Sequence, residues 1–110
     1  MERLGVDGVE IAWEERGSGE PALVLVHGYT GSSTDFIDHD DYFAKSRRVI
    51  TLDHRGHGQS GHAAPETYTL EQLTNDLIAL IEHAGKGPVD LLGHSMGGRV
   101  DMLAAIARPD

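Results

Sequence analysis

A serine flanked by glycines, within the segment Gly93-His94-Ser95-Met96-Gly97, has the setting in this sequence that most favours chemistry. The pattern Gly-x-Ser-x-Gly is typical of a sharp turn from a strand into a helix, where the flanking positions leave no room for a bulky Cβ. Such a turn exposes the serine hydroxyl, and the helix N-terminus beside it favours a developing oxyanion. We therefore predict that Ser95 is a nucleophile. The alternative is a structural turn that matches the pattern by chance.

A glycine-rich loop at residues 27–32 follows an apolar run and would supply the other half of an oxyanion hole. A backbone N–H at Tyr29 would point towards the same oxygen atom as the N–H of Met96. The alternative is an ordinary glycine-rich turn, and His27 itself is expected to be a structural loop residue. The residues expected to form the turn and to support the loop are Gly28, Gly93, His94, Gly97 and Gly98. Gly98 is also expected to let the following helix pack closely against the strand.

The segment DHRGHGQS, residues 53–60, contains two histidines and a carboxylate, which suggests metal binding or acid–base chemistry. His54 and His57 are three residues apart and would share one face of a helix. The glycines instead indicate a loop, which makes metal ligation the weaker interpretation. We predict a turn in which Asp53 and Arg55 tie the loop to its neighbours.

Short apolar runs alternate with helical patterns along the chain, which predicts an α/β sheet built from crossover units. Runs without polar interruption, such as residues 22–26, are typical of strands buried on both faces of a parallel sheet. The carboxyl ends of parallel strands meet at one edge of a sheet, and all three glycine-containing segments lie there. The predicted strands are residues 9–15, 22–26, 48–52 and 89–92, and the predicted helices are residues 35–45, 70–84 and 97–107.

The helix predicted at residues 70–84 carries the clearest signals. Thr69 and Gln72 have the spacing of a capping box, and Gly85 supplies the stop. Helical spacing predicts one apolar stripe, made of Leu70, Leu73, Leu77, Ile78, Ile81 and Ala84. The apolar contacts of the helix at residues 35–45 would be Phe36, Ile37, Tyr42 and Phe43.

Composition and charge exclude several classes of protein. With 18 acidic and 9 basic side chains the net charge is −9, and no Lys/Arg cluster could bind nucleic acid phosphates. The absence of cysteine excludes disulfides and thiolate metal sites. No signal-peptide core and no apolar run near the ~20 residues of a membrane span is visible, so we expect a cytoplasmic protein without a membrane partner. We expect no cofactor and no metal, since the acidic cluster Asp38, Asp40 and Asp41 is typical of a solvated turn.

Three segments together resemble the α/β-hydrolase family: LVLVHGYTGSS, VITLDHRGHGQS and VDLLGHSMGG, in this order and at typical spacing. The resemblance implies that Ser95 is the nucleophile, that the amides of Tyr29 and Met96 form the oxyanion hole, and that the Asp53 loop is structural. A serine at this position differs from the aspartate of the dehalogenase and epoxide-hydrolase branches. The segments are most similar to those of esterases and monoacylglycerol lipases, which implies a small-molecule ester as substrate. Lactonases, C–C hydrolases and perhydrolases share much of this pattern.

The resemblance covers only the N-terminal part of the family's domain, and we assign residues 1–110 to a single partial domain. In the family, an Asp or Glu and then a His follow the nucleophile. Here only Asp101 and Asp110 follow Ser95, and no histidine does. Asp101 lies six residues into the helix, about 9 Å along its axis, and is a poor orienter of a base. We expect the triad acid and base to lie outside these 110 residues, and little or no activity without them.

The strand at residues 89–92 would be an unpaired edge, because the later strands of the family's sheet are absent. Such an edge promotes pairing with another chain, so we expect an oligomer, an aggregation-prone chain or a fragment of a longer natural enzyme. One alternative function is a non-catalytic truncated or engineered α/β scaffold that self-associates. Another is a self-contained enzyme that uses His54, His57 or His94 as its base.

Overall fold

A five-stranded mixed sheet with two α-helices forms the computed structural model of the chain, which describes residues 2–28, 31–36, 42–62, 65–85 and 88–109. None of the described helices is long and apolar enough to cross a membrane. The strands are β1 (Glu2–Val6), β2 (Val9–Arg16), β3 (Ala22–Val26), β4 (Val49–Leu52) and β5 (Val89–Gly93), and the helices are α1 (Leu70–Ala84) and α2 (Met96–Ala107). The α/β fold class expected from the sequence is confirmed.

The strand order β1-β2-β4-β3-β5 places three parallel strands side by side. Strand β3 pairs in parallel with both β4 and β5, whereas β2 runs antiparallel to β1 and β4. The last residues of β3 and β5, Val26 and Gly93, lie opposite each other. The loops that leave β3, β4 and β5 therefore emerge at one edge of the sheet. In the part of the chain that the structure describes, β5 is an edge strand, as expected.

The sequence analysis did not predict strand β1. Its apolar pattern is interrupted by Arg3 and Gly5, and four of its five residues are not buried. The signal that could have revealed it is Asp7-Gly8, because both residues have positive φ, 48° and 84°, between strands that pair from Val6–Val9 outwards. Asp-Gly in a two-residue loop is a strong hairpin signal.

Burial separates the two faces of the sheet. The larger core lies beneath the helices and combines strand residues such as Val24 and Ile50 with Leu77 and Leu80 of α1 and Val100 of α2. A smaller cluster on the opposite face consists of Leu23, Leu25, Phe36 and Val49. The continuous apolar runs of β3 and β4 are buried throughout because both faces of these strands are covered.

Helix α1 begins and ends where the sequence predicts. Thr69 Oγ1 accepts a hydrogen bond of 3.1 Å from the N–H of Gln72, and Gly85 ends the helix with φ 70°. The side chain of Gln72 does not complete a capping box, because it donates to Asp7 and Asp76 instead. The buried stripe is centred on Leu73, Leu77 and Leu80, and the predicted members Leu70, Ile78, Ile81 and Ala84 are only partly buried against the core.

The helix expected at residues 35–45 cannot be followed along its length, since residues 37–41 lie outside the described residues. A 3₁₀ turn covers Ser33–Phe36, and residues 42 and 43 are helical before the chain turns. Phe36 is buried as predicted, but Tyr42 is 67% exposed. The predicted contact of Ile37 and the acidic cluster at residues 38, 40 and 41 also fall outside the description.

Candidate active site

The loops that follow β3, β4 and β5 meet at the carboxyl edge of the sheet. The His94 N–H donates to the Val26 carbonyl over 3.0 Å, which joins the end of β5 to the end of β3. The His54 N–H donates to His27 Nε2 over 2.9 Å, which joins the loop after β4 to the loop after β3. The three segments singled out in the sequence are therefore neighbours in space.

Ser95 occupies a strained turn between β5 and α2. Its φ of 56° and ψ of −116° lie outside the regions that L-residues ordinarily adopt, and a positive φ at a residue other than Gly, Asn or Asp costs free energy. Ser95 is the N-cap residue of α2, but its hydroxyl accepts no capping hydrogen bond from the helix. An N-cap serine normally does so. The Ser95 side chain is exposed, so the hydroxyl stays available to another group.

Glycines make this turn sterically possible. A Cβ at Gly97 would collide with the carbonyl oxygens of Val26 and His27, and one at Gly93 would lie 2.5 Å from the Gly97 carbonyl oxygen. A Cβ at Gly28 would lie 3.0 Å from the His94 carbonyl oxygen and 3.3 Å from Ser95 Cβ, so the loop after β3 approaches the serine closely.

Gly98 does not have the packing role expected of it. A Cβ at this position would lie 3.7 Å from the Gly93 carbonyl oxygen, which is ordinary van der Waals contact. The close approach of α2 to the sheet depends on Gly97 instead, because its Cα faces the backbone at the end of β3. The two adjacent glycines of the sequence thus differ in what they permit.

The donors expected for an oxyanion hole are described in part. Met96 is the first residue of α2, where N–H groups lack an intrahelical carbonyl partner. The N–H groups of the next two residues turn back to the carbonyls of His94 and Ser95, over 2.9 and 3.0 Å. Tyr29 lies outside the described residues. On either side of this gap, the Gly31 N–H donates to the Gly28 carbonyl over 3.1 Å.

The Asp53 loop holds the site together, as its sequence predicts. Asp53 is 1% exposed and accepts two backbone hydrogen bonds, from Ser33 over 2.7 Å and from Gln59 over 2.9 Å. The first of these fixes the far end of the loop that contains Gly28. Arg55 forms a buried bidentate pair with Asp76 of α1, with N···O distances of 2.8 and 3.1 Å. The loop is thus tied to both neighbouring elements.

Two of the histidines are committed to structure. His27 Nε2 accepts from the His54 N–H, so Nδ1 carries the proton and donates to the Gly28 carbonyl over 2.7 Å. His54 Nε2 donates to the His27 carbonyl over 3.2 Å, and both side chains are fully buried. Burial, together with the neighbouring imidazoles of His27 and His57, lowers the pKa of His54 to about 3. His54 is therefore neutral and a weak base, which disfavours it as a general base.

Asp101 of α2 is buried, which sequence reasoning missed. It is 9% exposed and faces Gly93, where a Cβ would lie 2.5 Å from Asp101 Oδ2. Burial raises the pKa of Asp101 to about 7. The signal was present in the helical spacing, because Gly97, Val100, Asp101 and Ala104 form the buried stripe of α2.

A groove of about 640 Å³ lies at the other end of the sheet. Its lining includes Val89 at the amino end of β5, Ile81 of α1 and Arg108 after α2. Because Ser95 follows the carboxyl end of β5, this groove is separate from the serine. Within the described ranges, no group of three or more His, Asp or Glu side chains is arranged to hold a metal ion.

Comparison with known proteins places this arrangement in a family. The family model of the alpha/beta hydrolase fold matches residues 21–110. The sn-1-specific diacylglycerol lipase ABHD11 of Mus musculus is 43% identical over 96 residues, which cover 82% of this chain and 29% of the lipase. The (E)-2-((N-methylformamido)methylene)succinate hydrolase of Acinetobacter baylyi is 40% identical over 96 residues, which cover 87% of this chain and 36% of that enzyme.

Solved structures show the same partial coverage. The thioesterase domain from the curacin biosynthetic pathway superposes with a TM-score of 0.89 at 27% identity, over 98% of this chain and 41% of that domain. An N-acyl homoserine lactone degrading enzyme superposes with a TM-score of 0.90 at 28% identity, again over 98% and 41%. The chain spans about a third of the length of these relatives. With its parallel strands and its glycine-flanked serine turn, this chain belongs to the α/β-hydrolase fold family and comprises the N-terminal portion of that fold.

Proposed function

We propose that this chain is the nucleophile-bearing portion of a serine hydrolase that acts on carboxylic esters by acyl transfer. The observation that carries the proposal is the Ser95 turn, in which a strained backbone presents an uncapped, exposed hydroxyl at the N-terminus of α2. The hydroxyl of a structural N-cap serine would instead accept a hydrogen bond from a backbone N–H in the first turn of the helix.

Acyl transfer at this serine proceeds in two steps. Ser95 Oγ attacks the ester carbonyl and loses its proton to a base, and the alkoxide of the ester leaves with a proton, so that an acyl–Oγ bond replaces the ester bond. Water then attacks the acyl group and releases the acid and the serine. The Met96 N–H, together with that of Tyr29, would donate to the oxyanion that forms in each step.

The general base and its acid are proposed to come from outside these 110 residues. No histidine follows Ser95 in the sequence, and His27 and His54 are held in buried hydrogen bonds. Removing the base from a serine hydrolase leaves a residual acceleration of roughly 10³–10⁴ over water, from the oxyanion hole and substrate binding. We therefore expect the chain alone to be inactive or weakly active.

Some of the relatives favour acyl substrates. They include a diacylglycerol lipase, a thioesterase domain and an N-acyl homoserine lactone degrading enzyme. These names are consistent with attack at an acyl carbonyl, the step for which an oxyanion hole beside a serine is suited. A small-molecule carboxylic ester is the substrate class that we propose.

The test is an assay with p-nitrophenyl esters of several chain lengths. We expect the chain alone to release p-nitrophenol slowly or not at all, and to turn over when the C-terminal portion of a relative is supplied in trans. Ser95→Ala should abolish that turnover, whereas Ser46→Ala, which removes an exposed hydroxyl elsewhere, should not change it. Turnover by the Ser95→Ala variant at the original rate would contradict the proposal.

A second candidate function is favoured by the free edge of β5 and the outer face of α2. The exposed apolar side chains there include Leu92, Met102 and Ile106, at 40%, 62% and 77% exposure. An unpaired edge beside exposed apolar groups promotes pairing with another strand. A scaffold that self-associates through β5 would elute as an oligomer in size-exclusion chromatography with light scattering. A clean, folded monomer would exclude this function.

A further inference from the structure

The Asp101 carboxyl braces the turn that holds Ser95. It extends from the second turn of α2 to the last residue of β5, and its Oδ2 occupies the space that Gly93 leaves by lacking a Cβ. Gly93 lies two residues before Ser95, and Asp101 lies six residues after it. The carboxyl therefore lies between α2 and the strand end of the turn.

The Asp101 carboxyl lacks the partners that a buried carboxylate requires. Its Oδ1 is buried and has no hydrogen-bond partner among the described residues. Burial is the cause of its raised pKa, of about 7, with no compensating cation. Burial without a cation favours the protonated form of such a carboxyl over the ionised form.

The charged groups around Asp101 are engaged elsewhere or exposed. On β5, Asp90 pairs with Arg47 over 2.7 Å at the surface. At the end of α2, Arg108 pairs with Glu82 of α1 over 2.7 Å.

Arg99 on α2 and His94 in the turn have exposed side chains. Asp76 of α1 is paired with Arg55. None of these groups supplies a positive charge to the buried carboxyl.

We propose that Asp101 is a positioning residue for Ser95, and that ionisation of its buried carboxyl beside Gly93 loosens the turn that presents the Ser95 hydroxyl. The ionised carboxyl would be an unpaired buried charge, and the structure relieves such a charge by admitting water or by moving the side chain outwards. Outward movement takes the carboxyl away from Gly93, and entering water widens the space between β5 and α2. The effect of this loosening on catalysis rests on the proposed function, but the coupling between Asp101 and the turn does not.

The test follows the Asp101 carboxyl and the backbone amides of the Ser95 turn separately by NMR. In the uniformly labelled chain, the ¹³Cγ shift of Asp101 and the amide shifts of Gly93 and Ser95 are recorded from about pH 5 to about pH 9. We expect Asp101 to titrate with a midpoint near 7, and the two amides to shift with the same midpoint. The Asp101→Asn variant keeps the volume of the side chain and should remove the inflection at both amides.

His94 is the necessary control, because it is an exposed ionisable side chain next to Ser95. The His94→Gln variant should keep the shared midpoint. An Asp101 ¹³Cγ midpoint near 4 in the folded chain would overturn the inference, as would an amide inflection that survives in Asp101→Asn. The Asp101 ¹³Cγ midpoint is measured in the native chain, so this result can overturn the inference even if a variant does not fold. Repeating the titration in Ser95→Ala separates it from the assignment of the nucleophile, because Asp101 should titrate unchanged there.

Discussion

Ser95 and His54 show how this chain places residues in environments that they ordinarily avoid. The serine is held at a positive φ, which costs roughly 1–3 kcal/mol and persists only where the surrounding structure enforces it. Here the enforcement comes from the paired ends of β3 and β5 and from the glycines around the turn. The imidazole is held neutral beneath the same loops. Backbone strain and burial thus both concentrate where the loops meet.

A pH-dependent stability is expected from His54. Because burial holds its pKa at about 3 in the folded chain, against 6.5 in the unfolded chain, folding excludes a proton that the unfolded chain binds. This contribution to stability is fully present above pH 6.5 and is lost progressively as the pH falls towards 3. Asp101 acts in the opposite direction, because its raised pKa makes the folded chain more stable as the pH falls from 7 towards 4.

The His54 contribution is isolated by comparing variants at two pH values. His54→Gln keeps a donor near the Nε2 position but does not titrate. From about pH 7.5 to about pH 5, the free energy of unfolding of the native chain should fall by about 2 kcal/mol relative to that of the variant. Urea denaturation measures this difference, and the same change at the exposed His62 should produce none. Equal pH dependence in the native chain and His54→Gln would show that His54 titrates normally.

At the scale of elements, the site depends on how closely α2 approaches the sheet. The first turn of α2 packs over the last residues of β3, where the Gly97 Cα faces the carbonyl oxygens of Val26 and His27. The end of β5 contacts the same turn through Gly93. Backbone therefore sets the contact between α2 and the end of β3, and a single added methyl group is enough to disturb it.

Two adjacent glycines allow a matched comparison. Gly97→Ala should destabilise the chain by about 1–3 kcal/mol or more, because the Cβ of the new alanine meets rigid backbone rather than a side chain that can move. Gly98→Ala should be neutral or stabilising by up to about 1 kcal/mol, because the helix gains propensity and the new Cβ makes ordinary contacts. Thermal or urea unfolding compares the two. Equal effects of the two substitutions would show that α2 is not packed as described.

Across the whole molecule, the sequence predicts the parallel strands and the serine turn because their signals are local. Continuous apolar runs predict β3 and β4, and the spacing of two glycines around a serine predicts the turn. The burial of Asp101 was not predicted, because a charged residue at a buried helical position is interpreted from its chemistry as exposed. The difference between Gly97 and Gly98 could not be predicted either, since it depends on backbone distances between β3 and α2.

The chain as a whole contains the glycine-flanked Ser95 turn but spans about a third of the length of its relatives. The strands β3, β4 and β5 and the Asp53 loop together position Ser95, with buried ties such as Arg55–Asp76 fixing their relative placement. A positioned nucleophile and a general base are separate requirements. Under the proposed function, these 110 residues supply the first, and the second is proposed to come from outside them.

The most direct measurement is to replace the matching segment of the Acinetobacter baylyi hydrolase with this chain and to analyse the product by mass spectrometry after reaction with a p-nitrophenyl ester. We expect an acyl adduct on the peptide that contains Ser95, together with ester turnover that falls by roughly 10⁴-fold or more in Ser95→Ala. A folded hybrid that turns over ester equally well without the Ser95 hydroxyl, or that carries its acyl group on another residue, would contradict the assignment of Ser95 as the nucleophile.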